Sequence, residues 1–138
     1  MLTPKQTAQL LRAAAGAIEA ERRGFAGRIR IILDAREPAL QAWDQNDVAR
    51  AREDCRRDLG PLLREFLDLR AASAYLCGGL AADDLDHGGM HPKVGRLTVN
   101  DLLHEWVHHD RNHIKQILSN VQAMVWPDMG NAQGFAGE

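Results

Sequence analysis

The chain has 138 residues, 45% hydrophobic and 26% charged, which suits one soluble globular domain and excludes long disorder or a fibrous repeat. Seventeen basic against 19 acidic side chains give a net charge of −2, so no positive field is available to hold a nucleic-acid backbone. No run of about 18 apolar residues occurs, and MLTPKQTAQL lacks the basic start and apolar stretch of a secretory signal, so the expectation is a cytoplasmic protein without a membrane partner.

Aromatics make up 5% of the chain, alanine, leucine and arginine abound, and no segment alternates β-branched with polar residues, so an all-α fold is expected. The first helix opens at Thr3-Pro4, an N-cap followed by proline at N1, with Gln6 placed to close a capping box, and runs to about Leu33. At about 100° per residue, Leu10, Leu11, Ala14, Ala17, Ile18, Phe25, Ile29 and Ile32 share one face. Glu21 falls on that face too, where a carboxylate needs a partner.

After a polar connection over 34–46, a second pattern starts near Asp47. It carries Val48, Cys55, Leu59, Leu62, Leu63, Phe66, Leu76 and Cys77 on one side, and Gly60-Pro61 should kink or divide it. Helical rise would hold Cys55 and Cys77 roughly 33 Å apart, so they cannot bridge and read as small buried hydrophobes. Gly78-Gly79 ends the pattern, a short turn follows at 83–86, and Gly88, Gly89, Pro92 and Gly95 mark an irregular loop. Thr98, with Asp101 three positions on, caps a third helix that runs through Val125 until Trp126-Pro127 stops it. Residues 1–127 thus form the single domain and 128–138 a loose tail. Three long helices with one apolar stripe each predict an up-down bundle whose open side is closed by a homodimer, or by a fourth helix lost from an N-terminally shortened chain.

Four of the six histidines lie in HEWVHHDRNHIKQIL, as two overlapping i,i+4 pairs: His104 with His108, and His109 with His113. Val99, Leu102, Leu103, Trp106, Ile114, Ile117, Val121 and Met124 define the apolar face. His113 lies inside it and His109 at its margin, whereas His108 lies nearly opposite and His104 beyond the other edge. His109 and His113 are therefore the inward pair, and imidazoles four apart can grip one ion, leaving a position open for water or substrate if a third ligand comes from a facing helix. The alternative is two half-buried histidines donating to carboxylates or carbonyls. His104-Glu105-Trp106-Val107-His108 also spells HExxH, the zinc-protease pattern, but those histidines point to the polar side and no HxxGxxH continuation follows. Asp110, near the centre of the apolar face, requires a tie across the bundle, with Arg70 and Arg28 as candidate partners; its other role would be to support a metal-bound imidazole.

His91-Pro92, Val94-Gly95-Arg96-Leu97-Thr98, Leu102-Leu103, Trp106 and His109-Asp110-x-x-His113-x-x-Gln116-Ile117 together resemble the C-terminal half of the DinB/YfiT-like metalloenzymes. The runs from Phe25 to Leu33, Glu37-Pro38-Ala39-Leu40 with Trp43, and Asp58-Leu59 through Arg70 are similar to a DinB-like branch, extending the resemblance over 16–118. The resemblance implies a four-helix bundle, often dimeric, with a divalent ion on three histidines; some members transfer low-molecular-weight thiols or isomerise thiol-linked substrates. His109 and His113 match the last two ligands. The first falls about eight residues before the matched Phe25, where this chain has Ala17, or Gly16 at an offset of one. Glu21, one turn on, is the candidate oxygen ligand in its place, or else the partner of an arginine.

Two functions are expected from this. The leading one is a DinB-like metal-binding bundle holding Zn²⁺ or Ni²⁺ on His109, His113 and Glu21 or a water, with hydrolase or thiol-transferase chemistry on a small molecule. The other is a degenerate, metal-free relative acting as a dimeric scaffold or ligand-binding module.

Overall fold

A computed structural model describes Thr3, Leu11 and residues 14–53 and 56–136. Among these residues there are four helices and one β-hairpin. The first helix, α1, spans residues 14–34 and is not uniform: an α-helical start gives way to a π-helical turn at Ala20–Phe25 and returns to α geometry over Ala26–Asp34. The π turn is marked by the Ala26 amide donating to the Glu21 carbonyl, five residues back rather than four. Gly27 permits it, because a Cβ there would lie 2.3 Å from the Arg22 carbonyl oxygen.

The second apolar pattern divides at Glu53, not at Gly60-Pro61. Helix α2 covers Gln45–Arg52, capped by Asp44, whose carboxylate accepts from the amides of Asn46 (2.7 Å) and Asp47 (3.3 Å). It ends where Glu53 turns left-handed at φ 52°. Helix α3 then covers Leu59–Gly78. Pro61 stands in its first turn, where an amide donor is not needed, so the proline sits inside the helix without kinking it.

A 3₁₀ turn at Ala82–Asp86 leads to the hairpin of β1 (Gly88–His91) and β2 (Gly95–Thr98), paired antiparallel from Gly88↔Thr98 to His91↔Gly95. The segment expected to be an irregular loop is therefore ordered. Ala39 adds a parallel bridge to Met90, with Leu40 N donating to Met90 O and Met90 N to Pro38 O, each at 2.8 Å. Arg96 fastens the hairpin to the end of α1 through Glu37 at 2.6 Å. Helix α4 covers Val99–Val125, and the chain continues from Trp126 as a 3₁₀ segment, Trp126–Phe135, where a loose tail was expected.

The core has two parts. Phe25, Ala26, Ile29 and Ile32 of α1 pack with Leu40, Val99, Leu102 and Trp106, while Leu11, Ile18 and Leu62 form a second cluster flanked by Phe66 and Leu69. The inward stripe of α4 stops near His113: Ile114, Ile117 and Val121, expected inside, stand roughly half exposed, as do Leu59 and Leu63 of α3. No described helix is long and apolar enough to cross a membrane.

Candidate metal centre

The phase of α4 is set at its first residue. Thr98 Oγ1 accepts from the Asp101 amide and the Asp101 carboxylate accepts from the Thr98 amide, both at 3.0 Å, which closes a capping box and fixes where the helix begins. From that start, residues 102, 106, 109 and 113 descend one side of the helix. Trp106 is buried and stacks on Phe25 at 5.1 Å between centroids; Phe25 in turn meets the His109 ring edge-on at 5.3 Å. The His109 and His113 rings lie 4.4 Å apart, nearly perpendicular.

Each imidazole has a distinct environment. His113 Nδ1 lies 3.1 Å from Gln116 Oε1; with that oxygen accepting, the proton sits on Nδ1 and Nε2 keeps its lone pair. His113 Nε2 is buried and has no hydrogen-bond partner among the described residues. A buried nitrogen left without a donor is costly unless something binds it. Burial, and secondarily the neighbouring His113, hold the His109 imidazole below its usual pKa, so it stays neutral and able to ligate near pH 7. The pair thus fits two nitrogen donors to one transition-metal ion.

Opposite His113 stands Gly16. A Cβ built on Gly16 would lie 3.5 Å from His113 Cε1, so Gly16 faces the imidazole. Gly16 and His113 also border a cavity of about 920 Å³ between α1, α2 and α4, lined further by Gln45, Asn46, Lys115 and Asn120.

Glu21 is buried to 1% exposure, and of the two roles expected for it the geometry shows the ion pair. Its Oε2 lies 2.9 Å from Arg70 and accepts from Trp106 Nε1 at 3.2 Å, while Oε1 is buried without a partner among the described residues. Asp110 is gripped by the same guanidinium in a two-point pair at 2.7 and 3.0 Å, which selects Arg70 over Arg28. Arg70 also lies over the Phe66 and Trp106 rings, at 5.0 and 5.5 Å. Glu21, His109 and His113 are not brought together: among the described residues no three His, Cys, Asp or Glu side chains converge so that they could hold an ion.

The remaining candidates fall away from the centre. His104, Glu105 and His108 are exposed, and His104 Nδ1 is within 2.8 Å of the Asn100 carbonyl, so the HExxH face looks to solvent. Cys77 is a free thiol that burial, then the Glu21 carboxylate, push upward in pKa, away from thiolate chemistry. Cys55, Thr3-Pro4 with Gln6 as a cap, and Leu10 bear on structure outside the described residues, except that Thr3 itself is described. Sequence reasoning missed Glu19, which is buried and held at 2.8 Å by both Arg23 and Arg52, with Glu65 joining Arg52, Arg57 and Arg22. Its signal is three arginines within helical or cross-helix reach of one inward carboxylate.

The model of the DinB superfamily matches residues 7–117, well over half of the chain. The chain belongs to the DinB superfamily. Among solved structures, the DinB bundle seen here is similar to YfiT from Bacillus subtilis, described as a probable metal-dependent hydrolase with an unusual four-helix bundle topology. The TM-score is 0.77 at 19% identity, over 84% of this chain and 66% of that one, so the chain spans just under two thirds of the length of YfiT. At that identity the likeness is one of fold. Comparison with curated proteins gives no match.

Proposed function

We propose that this DinB chain binds a divalent transition metal, Zn²⁺ or Ni²⁺, on His109 and His113. The single observation that carries the reading is the His113 Nε2, buried and without a partner among the described residues, beside the neutral His109 ring 4.4 Å away. The description of YfiT as a probable metal-dependent hydrolase supports it. When bound, such an ion would lower the pKa of a water or thiol and so serve hydrolysis or thiol transfer. The chain's own residues supply the setting. Gln116 fixes the tautomer of His113, Phe25, itself stacked on Trp106, packs against the His109 ring, and Arg70 holds Glu21 and Asp110 in ion pairs.

A second reading is a metal-free relative acting as a ligand-holding scaffold. It is favoured by the absence of a third converging donor among the described residues and by the engagement of Glu21 with Arg70. Elemental analysis of protein purified without a histidine tag separates the two. Near-stoichiometric metal that disappears in His113→Ala supports the first; fully folded, metal-free protein that stays metal-free on incubation with Zn²⁺ or Ni²⁺ supports the second.

A further inference from the structure

We infer that α2 is a hinged wall of the cavity, latched by the single guanidinium of Arg52, and that its opening controls access to His113. The inference holds whether or not a metal is bound. It starts from what α2 lacks. No residue of Gln45–Arg52 is buried, and Val48 and Ala49 are only half-buried, so the apolar burial that fixes α1 and α4 contributes little here. A helix of eight residues is also too short to persist by itself. Yet α2 supplies Gln45, Asn46, Ala49 and Arg50 to the lining of the cavity of about 920 Å³ that His113 also borders.

The hold on α2 is ionic. The Arg52 guanidinium lies 2.8 Å from Glu19 of α1 and 3.0 Å from Glu65 of α3, so one side chain ties the wall to both helices. The other ion pair of α2, Arg50 with Asp47, and the Asp44 cap are internal to the segment. Both carboxylates keep further arginines, Glu19 with Arg23 at 2.8 Å and Glu65 with Arg22 at 2.7 Å and Arg57 at 3.0 Å, so the latch can release without stranding a buried charge. The two ends of the wall suit hinges. Before it, the Trp43 ring stands against buried Gly24, where a Cβ would lie 3.7 Å from the ring, and gives a fixed pivot. After it, Glu53 leaves the helix at φ 52°.

Hydrogen exchange read by mass spectrometry on the full chain tests the latch. In the natural chain the α2 amides are expected to exchange through local opening, at least about a hundredfold faster than those of residues 102–106 in α4 after correction for intrinsic rates. Arg52→Met is expected to speed α2 exchange about tenfold or more, the worth of a lost charge-assisted hydrogen bond, and to leave residues 102–106 unchanged. Val48→Thr, which keeps the side-chain shape but weakens the half-buried packing, is expected to change α2 exchange less than about threefold. Access is read by carbethoxylation with diethyl pyrocarbonate in the presence of a chelator: His113 should react faster in Arg52→Met by a factor similar to that of α2 exchange, with exposed His104 as the unchanged reference. Equal protection of α2 and α4 in the natural chain, α2 exchange unmoved or all amides accelerated alike in Arg52→Met, or a Val48→Thr effect as large as that of Arg52→Met would each overturn the inference. So would a His113 that reacts at one rate in both chains, because the wall would then move without controlling the site.

Discussion

Arg70 is the residue whose removal should be felt most. Among the described residues its guanidinium is the one ionic partner of Glu21, a carboxylate 1% exposed, and it also holds Asp110 in a two-point pair. Arg70→Met keeps an unbranched stem against Phe66 and Trp106 while deleting the charge. Glu21 is then left with the Trp106 indole alone, and stripping one partner from a buried ion pair typically costs about 3–5 kcal/mol. The Asp110 half counts for less. The Asp110 side chain is 32% exposed and can return to water, so that pair is worth about 0–1 kcal/mol. Because Arg70 itself is 35% exposed, the lower end applies, and the sum is about 3 kcal/mol. For a chain of 138 residues, at about 4 °C per kcal/mol, the melting temperature should fall by about 12 °C. Urea unfolding followed by circular dichroism reads the change directly. Replacing both members, Glu21→Leu with Arg70→Met, removes the uncompensated charge and should recover stability to within about 1 kcal/mol of the natural chain. Were Arg70→Met to unfold within about 0.5 kcal/mol of the natural chain, the inward carboxylate would not depend on this guanidinium and the reasoning would fail.

Other parts of the fold make equally definite claims. Gly27→Ala would gain about 1 kcal/mol in an ordinary helix, but here the methyl meets the Arg22 carbonyl at 2.3 Å and should cost about 1–3 kcal/mol instead; a stabilised variant in thermal melts would contradict the π turn. Thr98→Ala should lose about 1 kcal/mol by removing the cap of α4. In the same box, the Thr98 amide, then its hydroxyl, hold the Asp101 carboxyl below its ordinary value, so this contribution is fully present above about pH 4 and is lost as pH falls through the depressed folded value. Acid titration of Asp101→Asn should lack that part of the stability loss; an unchanged acid profile would count against it. His104→Ala and His108→Ala should leave metal affinity as it is, since both rings face solvent, whereas loss of binding in either would revive the HExxH face. The expected homodimer is checked by sedimentation velocity at micromolar concentration, and a monomer there refutes it.

What the sequence made legible follows from how local the cause is. Thr98 and Asp101 announce the start of α4 through a four-residue pattern, and from that start simple rotation puts His113 inward and His108 outward. A cationic partner for Asp110 could be expected in advance because an inward aspartate in the midst of an apolar stripe demands one; the sequence left Arg70 and Arg28 as candidates, and the structure pairs it with Arg70. Features with causes spread along the chain stayed hidden. The hairpin at 88–98 has strands too short and too glycine-rich to show alternation, and it is held in part by Pro38 and Leu40, some 50 residues upstream. The break after α2 falls on Glu53 in a left-handed conformation that glutamate does not advertise, while Gly60-Pro61, the louder signal, is absorbed into the first turn of α3. The stretch from Ile114 to Val121 keeps its apolar period although Ile114, Ile117 and Val121 stand roughly half exposed, and periodicity alone cannot tell a covered stripe from an open one.

The π turn in α1 has a consequence for any attempt to edit or recombine this helix. Deleting one residue between Ala20 and Phe25 with return to continuous α geometry would leave everything upstream at nearly its present azimuth, because the π turn spends five residues where an α turn spends four; a deletion elsewhere in the helix would swing the upstream part by about 100° about the axis. Only that second deletion would take Gly16 from its place across from the imidazole and turn Ile18 out of the second cluster. A chimaera that grafts an upstream segment from another DinB protein must therefore preserve azimuth rather than residue count, and a graft judged by alignment length alone would deliver its side chains to the wrong side of the barrel of helices.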